Sequence, residues 1–188
     1  DPLRRDCEAI VIAVDERGVQ LDRTVCYPQG GGQAGDAGTL IRADGRRRVI
    51  TDTRKGNAPD DAPGSIVHLL APDEADAAPW QVGERVSVQL DWARRQAHMR
   101  FHTATHLLCA LVPQPVDGCS ITAAYARLDF HMTEPLDKDV LTAGLARLVA
   151  EAHAVSTRWI SDEELDANPQ LVRSMSVQPP RGLGRVRV

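Results

Sequence analysis

Two histidines four positions apart, His102 and His106, lie in the segment Met99-Arg100-Phe101-His102-Thr103-Ala104-Thr105-His106-Leu107-Leu108. Four residues of helix rise ~6 Å and turn almost once, so both imidazoles leave the same face. Two imidazoles so placed can meet one divalent ion at ~2.0–2.1 Å from each nitrogen, which is the logic of His-x-x-x-His in zinc enzymes. Thr103 stands where the zinc-protease pattern His-Glu-x-x-His carries its glutamate, which argues against protease chemistry built on a helix-borne general base. Met99, His102, His106 and Cys109 recur at spacings of three, four and three. A core stripe carrying two hydrogen-bonded histidines has the same pattern, so residue type and spacing leave metal binding and core packing both open. Cys109, a further turn from His102, reads as a small buried hydrophobe rather than a third ligand.

A second segment with chemical potential is Tyr27-Pro28-Gln29-Gly30-Gly31-Gly32-Gln33-Ala34-Gly35-Asp36-Ala37-Gly38, which packs five glycines into nine residues. Such a cluster implies unusual torsions or close backbone approach to something. No Gly-Lys-Ser/Thr follows and no helical pattern opens behind it, so it is neither a Walker loop nor a dinucleotide fingerprint. It reads either as a wide hairpin loop or as a set of exposed backbone N–H groups, with the Gln33 amide, facing a small polar substrate. The four cysteines, Cys7, Cys26, Cys109 and Cys119, have neither Cys-x-x-Cys spacing nor the density of a disulfide scaffold, which places the chain in a reducing cytoplasm.

These segments need a frame. The first ninety residues read as β structure: Ala9–Val14, Val19–Tyr27, Thr39–Ile41 and Val49–Thr51 around the turn Asp44-Gly45, then Ile66–Leu70 and Val86–Leu90. Many short strands with turn signals predict a small barrel or sandwich. From Asp91 the period lengthens, and Asp91 can cap a helix running to about Val112, where Pro113 and Pro115 stop it. A strand over Tyr125–His131, a helix after Asp137, a strand over Val155–Ile160, a capping box Ser161-x-x-Glu164 and an alternating Gly184–Val188 complete an α+β half. The expected organisation is residues 1–91 as a barrel-like domain carrying the glycine loop and residues 92–188 as an α+β domain carrying the histidine helix. The 188 residues suffice for one ordinary domain or two small ones.

Composition narrows the function classes. With 43% hydrophobic and 26% charged residues the chain can bury a real core. Lys and Arg number 22 against 26 Asp and Glu, a net charge of -4, which excludes a polycation gripping phosphate over its whole surface but permits a local basic patch. Aromatics at 4% argue against a binder that stacks many bases. Nothing approaches the ~18 apolar residues of a membrane helix, and the N-terminus has no signal-peptide apolar region.

Taken together, Tyr-Pro-x-Gly-Gly-Gly-Gln-x-Gly-Asp-x-Gly-x-Leu at Tyr27–Leu40 and Arg-x-His-Thr-Ala-Thr-His-Leu-Leu at Arg100–Leu108 resemble the alanyl-tRNA editing family. Arg127-Leu128-Asp129-Phe130, further on, fits the same pattern, and the resemblance covers nearly the whole chain in order. The family comprises the editing domain of alanyl-tRNA synthetase and the free-standing AlaX proteins. The resemblance implies a small N-terminal β-barrel followed by an α+β editing domain. It also implies hydrolysis of tRNA(Ala) mischarged with serine or glycine, and a cytoplasmic enzyme. Carried over by position, His102 and His106 fall on the first two zinc ligands. Gly30, Gly31, Gly32 and Gln33 fall on the loop bordering the aminoacyl pocket, and Gln33 is the expected catalytic residue there. No Ser or Cys nucleophile is expected.

The tRNA partner requires phosphate contacts, for which Arg94, Arg95 and Arg100 lie beside the histidines and Arg181, Arg185 and Arg187 crowd the C-terminus. Arg46-Arg47-Arg48 reads as solvated charge. The family completes its zinc site from a Cys-x-x-x-His segment absent here, and the alternation still running at Val188 reads as truncation. The glycine loop favours the alanyl branch over threonyl-tRNA synthetase editing, which shares a histidine pair. Two alternatives of other kinds are a non-catalytic tRNA- or metal-binding module and an editing fragment of a full synthetase.

Overall fold

The computed structural model describes residues 1–72, 78–172 and 184–188. They fall into two compact units, one of Asp1–Phe101 with Ile121–Tyr125, the other of His102–Ser120 with Ala126–Val188. The architecture is α+β, a closed six-stranded antiparallel barrel followed by helices and short strand pairs.

The barrel is formed by β1 (Asp6–Asp15), β2 (Gly18–Leu21), β3 (Gly38–Arg42), β4 (Arg47–Lys55), β5 (Ile66–Leu70) and β6 (Arg85–Leu90). Around the ring the order is β1-β2-β5-β4-β3-β6, and β6 closes onto β1 with Cys7 opposite Val88. Period-two alternation explains which side faces in. Cys7, Ala9 and Val11 of β1 are buried while Glu8, Ile10 and Ile12 are exposed, and Val86, Val88 and Leu90 of β6 point inward. Val11, Leu40, Ile50 and Val88 have no solvent exposure, and each such side chain contributes about 1.5–3 kcal/mol through burial.

The strand expected over Val19–Tyr27 ends at Leu21, where the Asp22 carboxylate takes over the ladder by accepting the Ile10 N–H at 2.7 Å. Thr24 Oγ1 then accepts the Cys26 N–H at 3.0 Å, a local side-chain turn that replaces extended pairing.

One wholly buried histidine belongs to this barrel. The Nδ1 of His68 lies 3.0 Å from the Val19 carbonyl and its Nε2 lies 2.8 Å from Thr24 Oγ1. Burial lowers its pKa from the ordinary 6.5 to about 4. In the unfolded chain the ring takes a proton near pH 6.5, whereas in the barrel it does so only near 4. Between those values the unfolded state holds more protons, so stability present above pH 6.5 is lost as pH falls toward 4, by about 3 kcal/mol. Urea unfolding at pH 7 and pH 4.5 should reveal this loss, and His68→Gln should flatten it; an unchanged pH slope in the variant would refute the assignment.

The second half contains α1 (Trp92–Leu111), β7 (Val116–Ile121), β8 (Ala126–Phe130), α2 (Lys138–Ala150), β9 (Trp159–Ile160), α3 (Asp162–Ala167) and β10 (Val186–Arg187), with a 3-10 turn over Pro169–Leu171. The capping signals operate as expected. Asp91 Oδ1 accepts the Arg94 N–H at 3.0 Å, Asp137 Oδ1 accepts from Asp139 and Val140, and Ser161 Oγ accepts from Glu164 at 3.1 Å. The strand expected over Val155–Ile160 is confined to Trp159–Ile160, the two residues that find partners in Arg187 and Val186. β7 pairs with β8 as a separate two-stranded sheet. No helix among the described residues is long and apolar enough to cross a membrane.

Candidate functional site

The candidate residues belong to two groups, the glycine loop of the first unit and the histidine pair of the second. The loop is an ordered hairpin. Gly30 and Gln33 exchange backbone hydrogen bonds of 3.1 and 3.0 Å, and the two residues between them, Gly31 and Gly32, have φ of 60° and 80°. Consecutive positive φ values are those of a type I′ hairpin turn, which β-carbon-bearing residues adopt only at a cost.

Both sides of the turn are tied down. The Gln29 N–H donates to the Thr53 carbonyl on β4 at 2.8 Å. Across the turn, the Ile121 N–H donates to the Gly32 carbonyl and the Ala34 N–H to the Ile121 carbonyl, each at 2.9 Å. Gly35 lies so close to β4 that a β-carbon there would collide with the Thr53 carbonyl and the Asp52 carboxylate. Gln33 is buried, with only 8% of its surface exposed.

Asp36, with no solvent exposure, is the keystone of this arrangement. Its Oδ2 accepts the Tyr27 N–H at 2.5 Å, and its carbonyl accepts from Thr53 Oγ1 at 2.9 Å. Its carboxylate is gripped by Arg95 through Nη2 at 2.5 Å and Nε at 3.1 Å. Arg95 also donates to the carbonyls of Pro2 and Val25. Arg95, the residue expected to meet tRNA phosphate, thus spends its donors inside the barrel unit, and its side chain is only 8% exposed. Arg94 lies partly buried with its guanidinium on the Gly35 carbonyl at 3.1 Å, and Arg100 is exposed. Arg185 stacks 5.0 Å over the Trp159 ring. Arg181 and the side chain of Arg187 lie outside the described residues.

Sequence reasoning did not single out His98. It is wholly buried on α1, has no hydrogen-bond partner for either ring nitrogen, and keeps Nδ1 3.9 Å from Asp36 Oδ1. Burial and the neighbouring Arg94 guanidinium hold its pKa below the ordinary value, so it is a neutral ring against the Arg95–Asp36 pair. Its only signal in the sequence is its position three residues after Arg95, one helical turn along the same face.

In the second unit, His102 and His106 do share a helix face. Their rings stack with centroids 5.0 Å apart and planes 13° from parallel. Both residues are exposed. Desolvation of the ring and the neighbouring His106 imidazole lower the His102 pKa, which favours the neutral form that ligates metal. The donor type fits zinc, and among the described residues no third His, Cys, Asp or Glu joins the pair. Burial raises the Cys7 thiol, lifts Cys26 to about 11, and raises Cys119, where Cys109 and Asp129 add to the effect.

A closed barrel presenting a clamped glycine turn, followed by a helix with paired imidazoles, defines the α+β class of aminoacyl-tRNA editing proteins. The chain is 34% identical over 172 residues to the alanyl-tRNA editing protein AlaX-M of Methanosarcina acetivorans, covering 86% of this chain and 67% of that protein. It is 29% identical over 192 residues to AlaX-M of Saccharolobus solfataricus, covering 96% of this chain and 75% of that one. Against the alanine–tRNA ligase of Pyrococcus furiosus it is 31% identical over 175 residues, 88% of this chain but 18% of the ligase. No family model matches. The chain belongs to the alanyl-tRNA editing family, and it spans about two thirds of the length of the Methanosarcina AlaX-M relatives, 67% and 66% in two cases.

Proposed function

We propose that the chain hydrolyses the ester linking serine or glycine to tRNA(Ala), acting in the cytoplasm where that substrate arises. The observation carrying this reading is similarity over 86% of the chain to a protein whose name is alanyl-tRNA editing protein. The physical need is plain. A synthetase pocket shaped for alanine cannot sterically reject glycine and rejects serine poorly, so a second hydrolytic sieve must remove the errors.

In this proposal His102 and His106 hold a zinc ion, and Gly30, Gly31, Gly32 and Gln33 line the aminoacyl pocket. Zinc when bound supplies Lewis acidity for ester hydrolysis at neutral pH. The chain's own residues do the rest. Two imidazoles one helical turn apart offer the ligating nitrogens, and burial of the His102 ring favours its neutral form. The clamped turn presents the Gly31 and Gly32 N–H groups to the substrate, and the Gln33 amide recognises and orients its polar part. Arg94 and Arg100 meet tRNA phosphates.

The test is deacylation of seryl-, glycyl- and alanyl-tRNA(Ala) by the purified chain, with and without added zinc. Serine or glycine should be released faster than alanine. Absence of release from all three in either condition refutes the enzyme reading, and tRNA binding without release identifies a non-catalytic module instead.

A further inference from the structure

Beside the glycine turn lies a cation that no assigned role uses. Lys55 closes β4, two residues after Thr53. Alternate residues of a strand leave the same side, and Thr53 is the residue on which the loop is sewn, through its carbonyl to Gln29 and its hydroxyl to Asp36. The Lys55 side chain accordingly emerges under the loop. Its Cε and Nζ lie 3.5 and 3.6 Å from the point where a β-carbon on Gly30 would be.

The local charges leave this ammonium uncompensated. The carboxylates of the surrounding segments are engaged elsewhere, Asp52 with the Arg54 guanidinium at 3.0 Å, Asp61 with Arg17 at 2.6 Å and Asp36 with Arg95. Among the described residues Lys55 is exposed and makes no ion pair. The next two residues of the turn, Gly31 and Gly32, are exposed, and their N–H groups find no acceptor among the described residues, whereas those of Gly30 and Gln33 are used in the hairpin. A β-carbon on Gly31 would meet nothing within 4 Å, so the turn faces open space.

A cation beside outward-facing amides is the donor set that a phosphate oxygen accepts from. We infer that Lys55, with the turn it abuts, binds one backbone phosphate of the single-stranded 3′ end of tRNA and thereby positions the aminoacyl ester. This rests on the reading that the substrate is an aminoacyl-tRNA. Lys55 is a positioning residue, and its removal acts on binding rather than on the hydrolytic step.

The decisive measurement is fluorescence anisotropy of a labelled acceptor-stem RNA hairpin ending in single-stranded CCA, titrated with the chain over a range of salt. Lys55→Gln should weaken binding about fivefold to tenfold at low salt and reduce the slope of log K against log salt by about 0.7–0.9, the signature of one lost phosphate contact. Lys55→Arg should restore both, and Arg46→Gln, at the β3–β4 hairpin tip, should change neither. With seryl-tRNA(Ala), Lys55→Gln should raise KM and leave kcat in place. Equal affinity and slope in Lys55→Gln and the unmodified chain, while that chain deacylates seryl-tRNA, overturns the subsite alone. Lys55-dependent binding without any deacylation upholds the subsite and overturns the hydrolase. Absence of RNA binding by the unmodified chain overturns both.

Discussion

His102→Ala is expected to lower kcat/KM for seryl-tRNA(Ala) by about 10²-fold or more, equivalent to about 2.7 kcal/mol of lost transition-state stabilisation. The side chain is exposed on a helix whose backbone bonds do not depend on it, and Thr105 Oγ1 donates to the His102 carbonyl rather than to its ring. The melting temperature should therefore stay close to that of the unmodified chain, which separates loss of chemistry from loss of fold. His106→Ala should have a similar effect. The double variant should be no worse than either single one, because residues that act as a unit are not additive. Zinc content by elemental analysis should fall together with activity. Undiminished serine release by His102→Ala would remove the pair from the site altogether.

Asp36→Ala carries the largest expected effect on stability. Its carboxylate is the counter-charge of Arg95, whose side chain is 8% exposed against 1% for Asp36. Removing one partner leaves a buried, unpaired guanidinium, a loss of about 3–5 kcal/mol. That is a large share of the roughly 5–15 kcal/mol by which domains are stable, and for a chain of this size it corresponds to a melting point lower by roughly 10 °C. The Tyr27 N–H loses its acceptor in the same step, so the entry to the glycine loop should loosen too. Calorimetry and amide exchange at residues 27–36 measure the two effects. A melting point within a degree or two of the unmodified chain would show that Arg95 does not depend on this partner. The pair also explains why a buried ion pair sits here: it fixes the loop's entry, its exit and α1 to one another rather than adding net stability over an apolar core.

Much of this was legible in the residues. Alternation in Cys7–Val11 and Val86–Leu90 announced inward and outward faces, and Asp91, Asp137 and Ser161 announced helix starts that the capping bonds realise. What escaped depends on pairing between segments distant in sequence. β7 reads Val-Asp-Gly-Cys-Ser-Ile, with no alternation and a glycine at its centre, and it is a strand because β8 and the Gln33 segment lie alongside. Gly118 is needed there because a β-carbon would run into the Asp129 carboxylate, a neighbour eleven positions on. Arg95 looked like any surface arginine, since nothing local reveals that Asp36, 59 positions away, waits inside for it. Lys55 and His98 were silent for the same reason: their meaning is a neighbour, not a spacing.

The ring closure of the barrel has one more consequence, for behaviour at high concentration. Each of its six strands exchanges hydrogen bonds with two others, so it offers no vacant ladder on which a foreign strand could grow. Among the described residues, β8 and β9 each pair with one strand only. Self-association by strand addition therefore has its openings in the half of the chain that carries the histidines, and solubility engineering belongs at Ala126–Phe130 and Trp159–Ile160 rather than on the barrel.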